Sequence, residues 1–464
     1  MADRHRPVRA ALMGRIGRWA MVVIGVAALA WFAIDAPAGP APCQVGAWNV
    51  GGDVVTLVPT AARQPQLRWL VLDGTTGTLA PGADGRWRGH RGWTDEPHPV
   101  TWSFSSCEAG DVDGTPVTRL ALPVEETRFR GRGVDLAGRL VLPPGGEQAP
   151  VVVLVHGSES SSARNHSGLQ YLYPAHGIGV FVYDKRGTGA SSGDYTQDFD
   201  VLADDAVAAL AEARRLAGPR LGAIGFEGAS QGGWVAPLAA TRTPVDFVLV
   251  AFGLAISPWE EDQSQVDAEL AATGFGPEAR AAAREVTRAT GRMMATRLAE
   301  GTDALAALRR KHGDAAWWSA IRGEYSGDLL RYPAPVLRLA LPWFDKGTPW
   351  RHDPMPVLRR VRVPMLWILA GDDRDAPPQE TIRRLDRLAE EGLPTTYTVF
   401  TGTDHGIVEF VTDPEGQRTR TRYADGYLAM KVEWLRAGGN LGLPHRGTKP
   451  KTILQSWDHD LTSY

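Results

Sequence analysis

Cysteine is scarce: two residues in 464, Cys43 and Cys107. That excludes a cysteine-rich zinc framework and a disulfide-dense miniprotein. Neither sign of charge dominates, with 50 Lys and Arg against 53 Asp and Glu and a formal net charge of -3. A protein so balanced carries no broad electrostatic footprint for nucleic acid. Internal repeats and low-complexity tracts are lacking, which argues against solenoids and arrays. With 43% hydrophobic and 22% charged residues, the chain is neither disordered, coiled coil nor collagen-like. Glycine and proline are plentiful, 52 and 33, so turns are frequent. The length gives a prior of two or three domains.

Long apolar runs are also few. One stands at the N-terminus, Trp19 to Ile34, behind Arg4, Arg6, Arg9, Arg15 and Arg18, with no acidic residue from Arg4 to Ile34. Asp35 and Pro37 close it. The run has 16 residues, longer than a usual signal h-region and short of the ~20 that span a bilayer comfortably. Residues 1–42 are therefore expected to be a cleaved signal peptide or a retained N-terminal membrane anchor; a buried core helix is the bland alternative. Pro42 before Cys43 argues against a lipoprotein cysteine. Either main reading exports the remainder, secreted or membrane-anchored, with the arginines inside. In an oxidising compartment Cys43 and Cys107 are expected to pair, closing a loop of about 65 residues. Two independent buried thiols are the alternative.

Residues 43–123 lack helical periodicity. They carry short β-favouring runs, Val54–Val58, Leu67–Leu72 and Val100–Phe104, separated by turns such as Asp73-Gly74 and Asp84-Gly85, and predict a small β-rich module. A hairpin turned near Gly131-Arg132-Gly133 follows. Then the texture changes. Val151–Val155, Ile178–Tyr183, Leu221–Phe226, Val245–Ala251 and Met365–Ala370 are continuous apolar runs. Such runs mark strands buried on both faces, hence a parallel sheet. Helical patterns between them, such as Val201–Leu216, predict an α/β core over 124–255 and 356–440 with right-handed crossovers. Residues 256–355 break the alternation and read as a helical lid or cap insert. It holds Trp259, Trp317, Trp318, Trp343 and Trp350, which suit either a lid core or an apolar pocket cover. Residues 441–464 form a tail.

Two stretches satisfy G-x-S-x-G: Gly189-Ala190-Ser191-Ser192-Gly193 and Gly228-Ala229-Ser230-Gln231-Gly232. A nucleophile elbow needs a strand before it and a helix after it. Ser230 has both, whereas Ser191 lies in a loop; for Ser230 the bland alternative is a helix N-cap. His156-Gly157-Ser158 follows the Val151–Val155 strand, so the backbone N–H groups of Ser158 and Gln231 are the expected oxyanion donors. His156 itself reads as a loop-shaping residue.

Asp372, Asp373 and Asp375 compete in the turn after Met365–Ala370. The register of Arg374 and Pro377 against the hydrolase pattern G-x-x-D-R-x-x-P favours Asp373, although Ala370 replaces the usual glycine. The losing aspartates are expected to face solvent or cap the helix near Pro378. His405, in a glycine-bounded turn after the Thr395–Phe400 strand, is the histidine placed to reach the elbow and to exchange a proton near neutrality.

In the order Ser230, Asp373, His405, and in Val155-His156-Gly157-Ser158, Tyr183-Asp184-Lys185-Arg186-Gly187-Thr188-Gly189 and Gly228–Gly233, the chain resembles bacterial α/β-hydrolase esterases of the dienelactone-hydrolase and prolyl-oligopeptidase-like branch. The likeness covers roughly residues 124–437. It implies an α/β-hydrolase fold with a helical lid, structural roles for Asp184 and Arg186, and a serine esterase acting on a small-molecule ester, with no metal or cofactor. A serine peptidase or thioesterase using the same three residues is the alternative chemistry. A non-catalytic surface binding protein is the alternative from another class.

Overall fold

A computed structural model describes residues 42–60, 66–414 and 416–441. The N-terminal basic and apolar segment and the C-terminal tail lie outside the described residues, and with them the expected signal or anchor. Among the described residues no helix is long and apolar enough to cross a membrane.

The β-rich module is a closed antiparallel barrel of eight strands: β1 Gly46–Val50, β2 Asp53–Pro59, β3 Leu67–Val71, β4 Thr76–Pro81, β5 Trp87–Arg91, β6 Pro97–Phe104, β7 Ala109–Val112 and β8 Thr115–Arg119. Each strand pairs with the next, and β1 closes on β8 through Trp48 opposite Arg119. Closure removes free sheet edges. The interior is filled by Trp48, Leu57, Leu67, Trp69, Leu79 and Trp102. Cys43 and Cys107 form a disulfide with Cα atoms 5.2 Å apart, which ties the entry to β1 onto the β6–β7 turn.

The second sheet has eight strands in the order β16-β15-β14-β13-β11-β12-β10-β9. These are β9 Val124–Arg130, β10 Asp135–Val141, β11 Ala149–Val155, β12 Gly179–Tyr183, β13 Leu221–Ala229, β14 Phe247–Ala251, β15 Met365–Ala370 and β16 Thr395–Phe400. From β12 through β16 the neighbours are parallel, while β9 and β10 form an antiparallel edge. The continuous apolar runs follow from burial on both faces. Val151, Val153 and Val155 enter one core, with Val248, Val250 and Trp367. Val152 and Leu154 enter the opposite core, with Leu249, Leu366 and Ile368. Helices Phe199–Ala217 and Gly232–Ala240 cover the first face; helix Tyr427–Arg436 covers the second.

Between β14 and β15 the chain leaves the sheet for a set of helices from Pro258–Ala272 to Ala334–Phe344. Its own core contains Val266, Val286, Met293, Trp317, Trp318 and Leu329. Trp317 and Trp318 are thus buried cap core, whereas Trp343 is exposed.

The barrel rests on a hairpin, Val408–Thr412 and Arg418–Tyr423, that begins three residues after His405. The Tyr423 N–H donates to Gly74 O at 3.0 Å, and Trp93 N–H to Arg420 O at 3.3 Å. A Cβ on Gly92 would lie 2.2 Å from Thr421 O, so glycine permits this approach.

Candidate active site

Ser230 follows the last residue of β13 and precedes helix Gly232–Ala240. Its φ is +51°, a left-handed conformation that costs a non-glycine residue energy and persists only where the surroundings enforce it. Its N–H donates to Ala251 O at 3.0 Å, and Gly233 N–H donates to Ser230 O at 2.7 Å. The flanking glycines are required sterically. A Cβ on Gly228 would stand 2.1 Å from Gly232 O, and one on Gly232 would stand 2.1 Å from Val155 O.

The structure brings Ser230, His405 and Asp373 together. His405 Nε2 lies 3.1 Å from Ser230 Oγ, and His405 Nδ1 lies 2.9 Å from Asp373 Oδ2. The Asp373 side chain is only 2% exposed. Its other oxygen accepts the Asp375 and Ala376 N–H groups at 2.9 and 2.8 Å, which fixes the carboxylate's aim. Burial pushes the His405 imidazolium down, but the hydrogen bond and charge of Asp373, with Asp375 adding, outweigh it and the net shift is upward. Phe252, immediately after β14, sets its ring edge-on to the imidazole at 5.0 Å.

Asp372 and Asp375 both retain solvent access, but neither caps the helix Gln379–Glu390, whose N-cap position has no side-chain bond. Asp372 accepts the Gly402 N–H at 2.7 Å and so joins the acid turn to the histidine turn. Asp375 offers an oxygen within 4.8 Å of ligating atoms of Asp373 and His405.

The N–H groups of Ser158 and Gln231 donate to no backbone carbonyl among the described residues. A Cβ on Gly157 would lie 3.3 Å from Ser230 Cβ, which places this loop against the serine. Sequence reasoning missed the brace beneath it. Buried Lys185 donates from Nζ to Gly157 O, and burial pushes its ammonium down to about 8, with Glu159 opposing. Its neighbour Arg186 matched a shared motif, but nothing marked Lys185 for this contact. His156 Nε2 contacts Tyr183 O at 3.0 Å, a loop-shaping contact.

The competing serine is committed elsewhere. Ser191 Oγ donates to Asp184 O at 2.7 Å and accepts Ala137 N–H at 2.9 Å. Asp184 accepts Ser162 Oγ, at 2.7 Å, and Ala190 N–H; Arg186 forms a paired contact with Asp205 at 2.7 and 2.8 Å. These are loop-holding interactions.

A sheet with a strained serine between strand and helix, and a histidine on a later turn, defines an α/β hydrolase. The model of the alpha/beta hydrolase family matches residues 152–417, more than half of the chain, and the protein belongs to that family. No curated protein matches the sequence. Solved structures similar to the chain include an acylaminoacyl peptidase from Pyrococcus horikoshii (16% identity, 77% of this chain and 51% of that one, TM-score 0.39). A puromycin-hydrolyzing peptidase from Mycobacterium tuberculosis is another (20%, 83% and 53%, TM-score 0.42). An esterase from Pyrobaculum calidifontis is a third (18%, 68% and 85%, TM-score 0.39). The chain spans about half the length of the first two.

Proposed function

We propose that this hydrolase cleaves carboxylic esters through an acyl-enzyme on Ser230. The observation that carries the reading is the hydrogen-bonded series Ser230–His405–Asp373 on a serine held at φ +51°. His405 Nε2 takes the Oγ proton while Oγ attacks the ester carbonyl carbon. The Ser158 and Gln231 N–H groups receive the oxyanion. As the tetrahedral intermediate collapses, the bond to the alkoxy oxygen breaks and His405 returns the proton to the departing alcohol. Water, deprotonated by the same imidazole, then releases the acid and frees Ser230. Asp373 holds the Nδ1–H tautomer and stabilises the imidazolium.

The test is hydrolysis of p-nitrophenyl esters of rising acyl length beside peptide and thioester substrates. Ser230→Ala is expected to lower kcat by roughly 10³-fold or more, and Ser191→Ala to leave it within a few-fold. The reverse pattern would overturn the elbow assignment.

The same groups can serve a peptidase or thioesterase, which the substrate panel separates from an esterase. We also read residues 1–42 as an export signal or anchor; the Cys43–Cys107 disulfide supports an oxidising destination. Fractionation of cells expressing the full chain checks this: recovery only in the cytoplasm with both thiols free would contradict it.

A further inference from the structure

The two donors assigned to the oxyanion differ in what holds them. Gln231 is the N-cap residue of helix Gly232–Ala240. Ser158 lies in a loop, and its N–H has no acceptor among the described residues. A loop donor helps a developing oxyanion only if it is already aimed. Two side chains that the ester mechanism does not use grip the two peptide units on either side of Ser158.

The first grip is Lys185. Strands β11 and β12 are parallel neighbours, so the loops that follow them meet. Lys185, two residues past β12, donates from Nζ to the carbonyl of Gly157, two residues past β11. The lysine is only 3% exposed, and a buried ammonium is costly. No carboxylate forms an ion pair with it among the described residues; Glu159 is the acid whose charge bears on it. No cis peptide bond occurs among the described residues, and in a trans peptide C=O and N–H point in opposite directions. Fixing Gly157 O on Lys185 therefore fixes the direction of the Ser158 N–H, away from the ammonium. The charge also polarises the amide through its oxygen, which strengthens the N–H as a donor. This peptide lies against the nucleophile, because a Cβ on Gly157 would stand 3.3 Å from Ser230 Cβ.

The second grip is Tyr195. Its ring lies beside the Lys185 ammonium, at 5.1 Å, and its hydroxyl donates to Ser158 O, the carbonyl of the next peptide. Behind it the donors run in one direction from the cap. Gln197 Nε2 donates to Tyr195 Oη at 3.1 Å, and Thr348 Oγ1 donates to Gln197 Oε1 at 2.6 Å. Lys346 O accepts Gln197 N–H at 2.8 Å and Thr196 Oγ1 at 2.9 Å. Lys346 and Thr348 lie just past the cap helix Ala334–Phe344, where the chain returns towards β15. Hydrogen bonds in such a chain strengthen one another.

We propose that Lys185 and Tyr195 are positioning residues that aim the Ser158 N–H at the oxyanion, and that cap residues 346–348 hold Tyr195 in place through Gln197. The inference rests on the Ser230 reading and deepens it: a complete oxyanion site then depends on the returning cap segment as well as on the sheet.

The experiment measures kcat and KM for the p-nitrophenyl ester turned over fastest, beside the rate at which a fluorophosphonate labels Ser230. The phosphoryl oxygen of that reagent uses the same donors. Lys185→Met leaves the Ser158 N–H unaimed and is expected to lower kcat by roughly 10²-fold, with KM within about threefold and labelling slowed in parallel. Tyr195→Phe keeps the ring beside Lys185 and removes only the hydroxyl; it is expected to cost about tenfold in kcat. Thr348→Val should lose less. Because these two act along one chain, Tyr195→Phe with Thr348→Val should lose no more than Tyr195→Phe alone. Losses that fall on KM, or wild-type kcat and labelling in Lys185→Met and Tyr195→Phe, would overturn the proposal. Full additivity in the double variant would overturn the link to the cap. Should Lys185→Met not fold, Tyr195→Phe decides, since it removes one oxygen from a half-buried side chain. Should no ester turn over, the labelling rate decides in the same way. Failure of the Ser230 reading looks different: the unaltered protein would take no label at Ser230, and the proposal would fall with it.

Discussion

The elbow and the helical cap are built in opposite ways. The elbow is one short stretch, Gly228 to Gly233, whose backbone packs closely on itself and against the ends of the neighbouring strands at Val155 and Ala251. The cap joins segments remote in sequence, with Asp262 accepting the Tyr325 and Ser326 N–H groups, both at 3.0 Å. The elbow carries no charged residue, whereas the cap bond sets the buried carboxylate of Asp262 against backbone.

The largest expected effect strikes the partners of the elbow. Asp373→Asn keeps the shape of the turn but favours the wrong His405 tautomer, and kcat should fall by about 10⁴ with the circular dichroism spectrum unchanged. A loss of only a few-fold would move the acid elsewhere.

Next comes the barrel, which braces the hairpin behind His405. Replacing Cys43 and Cys107 by serine releases a loop spanning a sequence separation of 64 and should cost about 4 kcal/mol by the chain-entropy model. Denaturant melts of oxidised and variant protein read this, and coincident melts would show that the disulfide contributes nothing.

Gly228→Ala attacks the elbow alone. Its Cβ would press against Gly232 O, so stability should drop by about 1–3 kcal/mol and turnover should fall with it. An unchanged melt would mean that the turn relaxes freely.

The smallest effect sharpens the contrast. His405 must be neutral to accept the Ser230 proton, and its pKa is raised above the usual 6.5. Activity should therefore fall as pH drops through a value above 6.5. Asp375 is one source of that rise, so Asp375→Asn should move the acid limb of kcat for a neutral ester to lower pH. An unmoved limb would show that Asp375 does not act on His405.

The same contrast explains what could be read before the fold was known. Continuous runs such as Val151–Val155 reveal a parallel sheet because alternate residues enter opposite cores. Ser230, Asp373 and His405 are legible because each sits in a short turn just past a recognisable strand. The closing pair of the barrel, Trp48 with Arg119, carries no local signature. Asp262 looks like an ordinary helix carboxylate until the cap folds and the Tyr325 and Ser326 N–H groups donate to it. Asp375 resembled a solvated turn residue, and exposure alone does not distinguish it; its distance to His405 does. Phe252 had one legible hint, its place at the end of an apolar strand.

The central claim is that Ser230 is the nucleophile. Treating the full-length protein with a fluorophosphonate and mapping the adduct by peptide mass measures it directly. A single phosphonyl group on the peptide containing Ser230, absent in Ser230→Ala and undiminished in Ser191→Ala, is the predicted result. An adduct on Ser191, or labelling that survives Ser230→Ala, would contradict it.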